Sequence, residues 1–176
     1  GVARSAFGLS GQKCSACSRV YVHKELRDRF VELLVEKTKK IKVGNPLDRD
    51  VWMGPVINEA AVRTFEDAVA RAVRDGGRIL TGGKRITTEP WNHGYFVEPT
   101  IFDAVANDMT IAREEIFGPV LSVLTFETPG EAVAIANDSM YGLSAAVWSN
   151  NIDTALKTAK ALRTGMVWVN NYDASD

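Results

Sequence analysis

The sequence predicts an α/β fold, a three-layer, mostly parallel sheet with helices on both faces. Residues 144–148, 152–162 and 166–170 follow a strand, helix, strand pattern, which is the crossover unit that joins parallel strands. The composition, with 45% hydrophobic and 24% charged residues, excludes collagen-like and disordered chains. A chain of 176 residues is long enough for one domain with a complete hydrophobic core.

Hydrophobic spacing predicts the elements of the first half. Residues 19–23, with the sequence RVYVH, form a short run rich in β-branched and aromatic side chains, which is typical of a strand. Residues 25–42 form a helix, because their apolar side chains recur on one helical face. These apolar residues are Leu26, Phe30, Leu33, Leu34 and Ile41. The turn Gly44-Asn45-Pro46 ends this helix, and a second helix begins near Asn58 and ends at Gly76-Gly77.

The second half continues with strands and a capped helix. Short apolar runs predict strands at residues 78–81, 95–102 and 120–126. The next helix begins with Thr128 as its cap, Pro129 at its first position and Glu131 placed to complete a capping box. We expect it to end at about Asn137.

The net charge, the cysteine usage and the two chain ends indicate which partners and which location to expect. The 21 basic and 22 acidic residues give a net charge of -1, so we expect neither nucleic acid nor an anionic membrane as a partner. No secretory leader and no run of 18 apolar residues is found, and the cysteine usage favours a reducing, cytoplasmic location. Because the chain starts at Gly1 and ends on an unclosed strand pattern, we expect a fragment of a longer protein.

Cys14 and Cys17 are the first candidates for chemistry. Their spacing is compatible with a redox dithiol, half of a zinc site, one reactive thiol beside a bystander, or two inert buried thiols. Zinc needs further ligands, and the two histidines, His23 and His93, form no local pair, so we expect no metal. A redox pair normally opens a helix after a strand, whereas this pair precedes a strand.

Two other motifs are ambiguous by themselves. The pairs Gly76-Gly77 and Gly82-Gly83 indicate turns, because no glycine-rich phosphate-binding pattern follows a strand and opens a helix. The adjacent carboxylates Glu114 and Glu115 precede Ile116-Phe117-Gly118-Pro119, and taken alone they predict a solvated loop.

Taken together, these segments resemble a known family. Residues 7–19, with the sequence FGLSGQKCSACSR, resemble the catalytic-cysteine signature of the NAD(P)-dependent aldehyde dehydrogenase superfamily. Residues 114–120, EEIFGPV, are similar to the second signature of that family. Supporting matches occur in family order at residues 43–46, 53–55, 94–100, 141–144 and 168–170. The resemblance is to the catalytic, cysteine-bearing domain alone, and it spans almost all of residues 1–176.

The resemblance implies a role for particular residues. Cys14 is the expected nucleophile, with Cys17 as a packing neighbour, and its attack on a small-molecule aldehyde gives a thiohemiacetal and then a thioester. NAD or NADP is the expected hydride acceptor. Glu115 is expected to bind the nicotinamide ribose hydroxyls, and Phe117 to pack against the nicotinamide or its ribose. The full-length protein is expected to form a homo-oligomer.

Some family segments are not found in this chain. They are the Glu-Leu-Gly-Gly segment with the general-base glutamate, the asparagine that completes the oxyanion hole, the cofactor-binding domain and the oligomerisation strands. We therefore expect the chain alone to bind NAD weakly and not to turn over.

The cysteine motif is most similar to the 1-pyrroline-5-carboxylate dehydrogenases of proline catabolism. That similarity implies glutamate semialdehyde as substrate, with Ser15 helping to hold its carboxylate. The ending Asn171-Tyr172-Asp173 is instead closer to broad-range aldehyde dehydrogenases. The sequence is also compatible with a cofactor-independent thiol esterase-like domain or a non-catalytic interaction module. Glu115 and Phe117 favour the dehydrogenase, because neither an esterase nor an interaction module needs nicotinamide contacts.

Overall fold

Four strands form the main sheet of the computed structural model, which describes residues 1–172. They are β1 (Arg19–His23), β2 (Arg78–Thr81), β3 (Thr100–Asp103) and β4 (Val120–Phe126). The spatial order is β1-β4-β3-β2, with β1 and β3 parallel to β4 and with β2 antiparallel at the edge. The remaining strands, β5 (Ser144–Val147) and β6 (Met166–Val169), form a separate parallel pair.

Within residues 1–172, six α-helices precede or connect these strands. They are α1 (Val2–Phe7), α2 (Arg27–Lys39), α3 (Glu59–Arg74), α4 (Thr110–Arg113), α5 (Pro129–Asn137) and α6 (Ile152–Ala161), with short 3₁₀ turns at Gly8–Gly11 and Lys24–Leu26. No helix within residues 1–172 has both the length and the apolar character needed to cross a lipid bilayer.

Two hydrophobic cores lie on opposite faces of the main sheet. Successive residues of β4 divide between them, since side chains alternate across a strand. Leu121 and Val123 pack with Phe7 of α1 and Leu34 of α2. Residues on the other face pack against α3 and α4; they include Val120, Leu124, Phe65 and Ile111. Helices therefore cover both faces, and the predicted three-layer α/β fold is confirmed.

The elements predicted over residues 144–148, 152–162 and 166–170 each end one residue earlier in the structure, and two other elements differ by more. The helix expected over residues 25–42 is Arg27–Lys39, because a 3₁₀ turn precedes it. The strand expected over residues 95–102 is regular only over Thr100–Asp103. Before it, Val97 makes an isolated bridge to Arg85, and Pro99 has no N–H for a continuous ladder. The predicted ending at Asp173 lies outside the described residues.

Side-chain caps begin two helices where the sequence predicts them. The Asn58 Oδ1 accepts from the Ala61 N–H at 2.9 Å. The Thr128 hydroxyl accepts from the Glu131 N–H at 3.2 Å. The Glu131 carboxylate in turn accepts from the Glu127 N–H at 2.7 Å, one residue before the N–H of an ideal capping box.

Asp103, at the end of β3, connects the sheet edge to α2. It is 6% exposed and accepts hydrogen bonds from Arg78, at 2.5 Å, and from Arg27. Burial by itself raises the pKa of Asp103, but the hydrogen bonds from the two guanidinium groups outweigh burial and lower it below its usual value. The carboxylate is therefore ionised and paired at neutral pH.

Candidate active site

Cys14 lies at the tip of a turn between α1 and β1. The Ala16 N–H donates to the Lys13 carbonyl at 2.9 Å, so Cys14 and Ser15 occupy the centre of this turn. The preceding residues Leu9 and Ser10 have left-handed backbones, with φ of 52° and 57°. Left-handed non-glycine residues are uncommon, and they persist where the surroundings hold them in place.

Hydrogen bonds brace this cysteine loop from two sides. The Ser10 hydroxyl donates to the Gly54 carbonyl at 2.9 Å, and the Gln12 Oε1 accepts from the Ile57 N–H at 2.9 Å. From the C-terminal end of the described chain, the Tyr172 hydroxyl donates to the Ser15 carbonyl at 3.1 Å. The turn that carries Cys14 is therefore held by residues distant in sequence.

The two cysteines lie in different environments. Cys14 is exposed, whereas Cys17 is partly buried and packs against the core that contains Phe7. The Cys17 thiol donates to the Arg19 carbonyl at 3.3 Å. Burial raises the pKa of the Cys17 thiol to about 11, so it remains protonated at neutral pH.

The adjacent carboxylates of the second loop also differ. Glu114 forms an ion pair with Arg71 of α3, at 3.1 Å. The Glu115 side chain is exposed, and no residue within 1–172 bonds to its carboxylate. Two residues later, Phe117 has a left-handed backbone, with φ of 53°, and its side chain is 45% exposed. Glu115 and Phe117 are therefore the exposed side chains of this loop that have no hydrogen bond or ion pair within residues 1–172.

The cysteine loop and the Glu115 loop are in backbone contact. Gly11 has a φ of 68°, and a Cβ added to it would lie 2.2 Å from the Gly118 carbonyl oxygen and 2.8 Å from the Pro119 nitrogen. Only glycine allows so close an approach with this backbone conformation. The fold therefore brings together the two segments that sequence reasoning had selected separately.

The histidines and acidic residues form no second centre in the part of the chain that the structure describes. His23 bridges backbone groups, with its Nε2 2.9 Å from the Glu127 carbonyl and its Nδ1 accepting from the Glu25 N–H. No cluster of three or more His, Cys, Asp or Glu side chains suited to a metal occurs within residues 1–172. His23 has a structural role in joining β1 to the end of β4.

Comparison with protein families decides the relationship. The model of the aldehyde dehydrogenase family matches residues 1–176. The chain belongs to the aldehyde dehydrogenase family. The family resemblance inferred from the two signatures is thereby confirmed.

Curated aldehyde dehydrogenases align with nearly the whole chain. Betaine aldehyde dehydrogenase from Brucella anthropi is 44% identical over 167 residues, covering 95% of this chain and 34% of the relative. Aminoaldehyde dehydrogenase 1, peroxisomal, from Pisum sativum is 44% identical over 164 residues, covering 93% of this chain and 32% of the relative. The chain thus spans about a third of the length of these relatives.

Solved aldehyde dehydrogenase structures share the fold. The crystal structure of betaine aldehyde dehydrogenase from Staphylococcus aureus in complex with NAD+ superposes with a TM-score of 0.97 at 40% identity, covering 99% of this chain and 35% of that one. An NAD-dependent aldehyde dehydrogenase from Sinorhizobium meliloti gives 0.95 at 41% identity, covering 99% and 34%. The fold is that of an aldehyde dehydrogenase segment.

Sequence reasoning selected Cys14, Ser15, Glu115 and Phe117 but assigned no role to Tyr141 or Tyr172. Tyr141 accepts a hydrogen bond from the backbone of Glu115, and Tyr172 holds the carbonyl of Ser15. The signal for Tyr141 was its place in a family-like segment, residues 141–144. The sequence contains nothing that pairs either tyrosine with its distant partner.

Proposed function

We propose that this chain is the cysteine-bearing part of an NAD(P)-dependent aldehyde dehydrogenase that oxidises an aldehyde to a carboxylic acid. The observation that carries the proposal is the backbone contact of Gly11 with Gly118, which sets the Cys14 loop against the loop of Glu115. Membership of the aldehyde dehydrogenase family supports it. Exposure of Cys14, with Cys17 held as a buried thiol, supports Cys14 as the nucleophile.

The proposed chemistry begins at the Cys14 sulfur. The thiolate forms a bond to the aldehyde carbon, and the carbonyl π electrons move to the oxygen, where the Cys14 backbone N–H stabilises them. One such donor is typically worth about 3–4 kcal/mol in the transition state. Hydride then leaves the carbon with its bonding electrons for the nicotinamide acceptor, and the carbonyl reforms as a thioester. Water gives up one proton to solvent and adds to the thioester carbon, the carbon–sulfur bond breaks, and the carboxylic acid departs while Cys14 returns as thiolate.

The residues of the second loop fit a nicotinamide nucleotide. The Glu115 carboxylate, which has no partner among the residues that the structure describes, offers two oxygens to the two adjacent hydroxyls of a ribose. The exposed ring of Phe117 offers an apolar surface to the nicotinamide or its ribose. The bound cofactor supplies the hydride acceptor. The S. aureus relative was solved with NAD+, which supports NAD as the cofactor here, with NADP as the alternative.

For the substrate we propose an aldehyde that carries an amine or a quaternary ammonium group. The support is the pair of relatives at 44% identity, which are named betaine aldehyde dehydrogenase and aminoaldehyde dehydrogenase. Neither name supports the glutamate semialdehyde that the cysteine motif suggests. Ser15 is the proposed substrate contact in either case, since it follows Cys14 in the turn.

Two properties of the whole protein are also proposals. The charge balance and cysteine usage favour a cytoplasmic location, and the family resemblance favours a homo-oligomer. Multi-angle light scattering of the purified protein measures the second directly, and a monomeric mass at micromolar concentration would contradict it.

Thiol alkylation tests the nucleophile. Iodoacetamide is added to the chain at pH 7.5, and modification is followed by peptide mass spectrometry in the matched variants Cys14→Ala and Cys17→Ala. Cys14 is expected to react well before Cys17, and an aldehyde such as betaine aldehyde is expected to slow its modification by forming the thiohemiacetal. Preferential modification of Cys17 would overturn the assignment.

Nicotinamide mononucleotide tests the cofactor contact. Its dissociation constant is measured by ligand-observed NMR for the unchanged chain, Glu115→Gln and the matched control Glu114→Gln. We expect Glu115→Gln to weaken binding and Glu114→Gln to leave it unchanged, because Glu114 pairs with Arg71. Equal effects of the two substitutions would remove the proposed role of Glu115 and favour a cofactor-independent esterase.

A further inference from the structure

The Glu115 loop has few hydrogen bonds of its own. It connects α4 to β4 without regular secondary structure. At its ends the Glu114 N–H donates to the Thr110 carbonyl and the Pro119 carbonyl accepts from the Thr100 N–H, both at 2.9 Å. Within residues 1–172, the backbone of residues 115–117 makes one hydrogen bond, from the Glu115 N–H to the Tyr141 hydroxyl oxygen at 3.2 Å.

This single bond matters because of how the Glu115 side chain is placed. The carboxylate is exposed and unpaired within the described chain, so no side-chain contact there fixes its direction. Its position therefore depends on the backbone at Glu115. A carboxylate that must meet two ribose hydroxyls at once loses affinity when its backbone moves, since both hydrogen bonds depend on distance and angle.

The segment that contains Tyr141 is also bound to the residues that precede Glu115. Arg113 donates from Nη2 to the Asp138 carboxylate at 2.7 Å and from Nη1 to the Asp138 backbone carbonyl at 2.8 Å. Asn107 donates to the same carboxylate at 2.9 Å. The Tyr141 N–H donates to the Ser139 hydroxyl at 3.1 Å.

Two bridges thus join the same pair of segments. Arg113 to Asp138 is the first, and Glu115 to Tyr141 is the second, so residues 113–115 and 138–141 are fastened at two points. The Arg113 hydrogen bonds lower the pKa of Asp138, which keeps the first bridge ionised at neutral pH. A segment held at two points cannot rotate about either one.

We propose that Tyr141 is a positioning residue for cofactor binding: its hydroxyl oxygen holds the Glu115 backbone so that the carboxylate faces the nicotinamide ribose. The inference rests on the proposed function of Glu115. In this role Tyr141 acts through the backbone of Glu115.

Tyr141→Phe tests this with the smallest change, because it keeps the ring and removes the acceptor. Loss of one net hydrogen bond corresponds to about fivefold in an equilibrium constant. We expect amide hydrogen exchange at Glu115 to accelerate by about that factor and the dissociation constant of nicotinamide mononucleotide to rise similarly. Iodoacetamide modification of Cys14 is expected to stay unchanged, which a general loss of structure would not allow.

Three further variants separate the outcomes. Tyr95→Phe is the matched control, since Tyr95 is 38% exposed and its hydroxyl makes no hydrogen bond within residues 1–172; it should change neither the exchange rate nor the dissociation constant. Asp138→Asn, which weakens the other bridge, should act in the same direction as Tyr141→Phe. Glu115→Gln reports on the underlying function, and no loss of binding there means that the role of Glu115 has failed.

Two results would overturn the positioning role of Tyr141 while leaving Glu115 intact. One is that Glu115→Gln weakens binding but Tyr141→Phe does not. The other is that Tyr141→Phe leaves the exchange rate of the Glu115 amide unchanged, which means that the hydroxyl does not hold that backbone.

Discussion

Gly11 approaches Gly118 so closely that a Cβ on residue 11 would lie 2.2 Å from the carbonyl oxygen of residue 118. This contact joins the loop of Cys14 to the loop of Glu115. It is made between two main chains, so no change of rotamer can relieve a larger side chain there.

Substitution of Gly11 by alanine is therefore expected to be costly. The residue has a φ of 68°, and the added methyl group would meet the Gly118 carbonyl and the Pro119 nitrogen. We expect a loss of roughly 2–4 kcal/mol in the free energy of unfolding, measured by urea denaturation. Gly8→Ala is the control, because, apart from its neighbours along the chain, no atom of residues 1–172 lies within 4 Å of a Cβ added to Gly8. Similar losses in both variants would contradict the close contact.

Asp103→Asn is expected to destabilise the sheet edge. It removes the charge that pairs with Arg27 and Arg78, and the cost should be about 2 kcal/mol, below that of a fully buried pair because the Arg78 side chain is 65% exposed. Glu32→Gln, which breaks an exposed pair with Arg29, is the control and should change little.

The contribution of Asp103 should also depend on pH. The pKa of Asp103 is lower in the folded chain than in the unfolded chain, so the stabilisation is complete above the unfolded value of about 4 and is lost as pH falls through the folded value. The difference in the free energy of unfolding between the unchanged chain and Asp103→Asn should be constant near neutral pH and should disappear at acidic pH. A difference that grows on acidification would contradict the pairing.

Cys17 is expected to resist alkylation until strongly alkaline pH. The thiolate is the reactive form, and burial raises the pKa of Cys17 to about 11. In the Cys14→Ala variant, the rate of iodoacetamide modification should rise steadily from pH 8 to about 10 without levelling off. Levelling off by about pH 9.5, as expected for an ordinary thiol with a pKa of about 8.5, would contradict the raised pKa of Cys17.

Phe117→Gly should separate ligand binding from stability. Phe117 has a left-handed backbone, which costs about 1–2 kcal/mol in a non-glycine residue, and glycine removes that cost while it adds entropy to the unfolded chain. The two effects oppose each other, so the melting temperature should change little. Loss of the exposed ring should weaken nicotinamide mononucleotide binding. A large fall in melting temperature would instead indicate a packing role.

Much of the local structure was predictable from the sequence because it depends on near neighbours. Hydrophobic spacing predicted α2 and α3, and the Asn58 and Thr128 caps act within four residues of themselves. The strand over residues 95–102 was predicted too long. Hydrophobic periodicity depends on side chains, whereas Pro99 interrupts the strand because it has no backbone N–H for the hydrogen-bond ladder. Strand order was not predictable, because pairing of β1 with β4 joins segments far apart in the chain.

The candidate site was likewise predictable only in part. The sequence by itself determined the family and the candidate residues Cys14 and Glu115, since these depend on residue type and order. Only the tertiary structure decided that Cys14 is exposed while Cys17 is a buried thiol, and that the Glu115 carboxylate has no partner within residues 1–172 while Glu114 binds Arg71. The physical reason is that burial, ion pairing and the Tyr141 hydrogen bond are made by neighbours in space, which one-dimensional patterns do not specify.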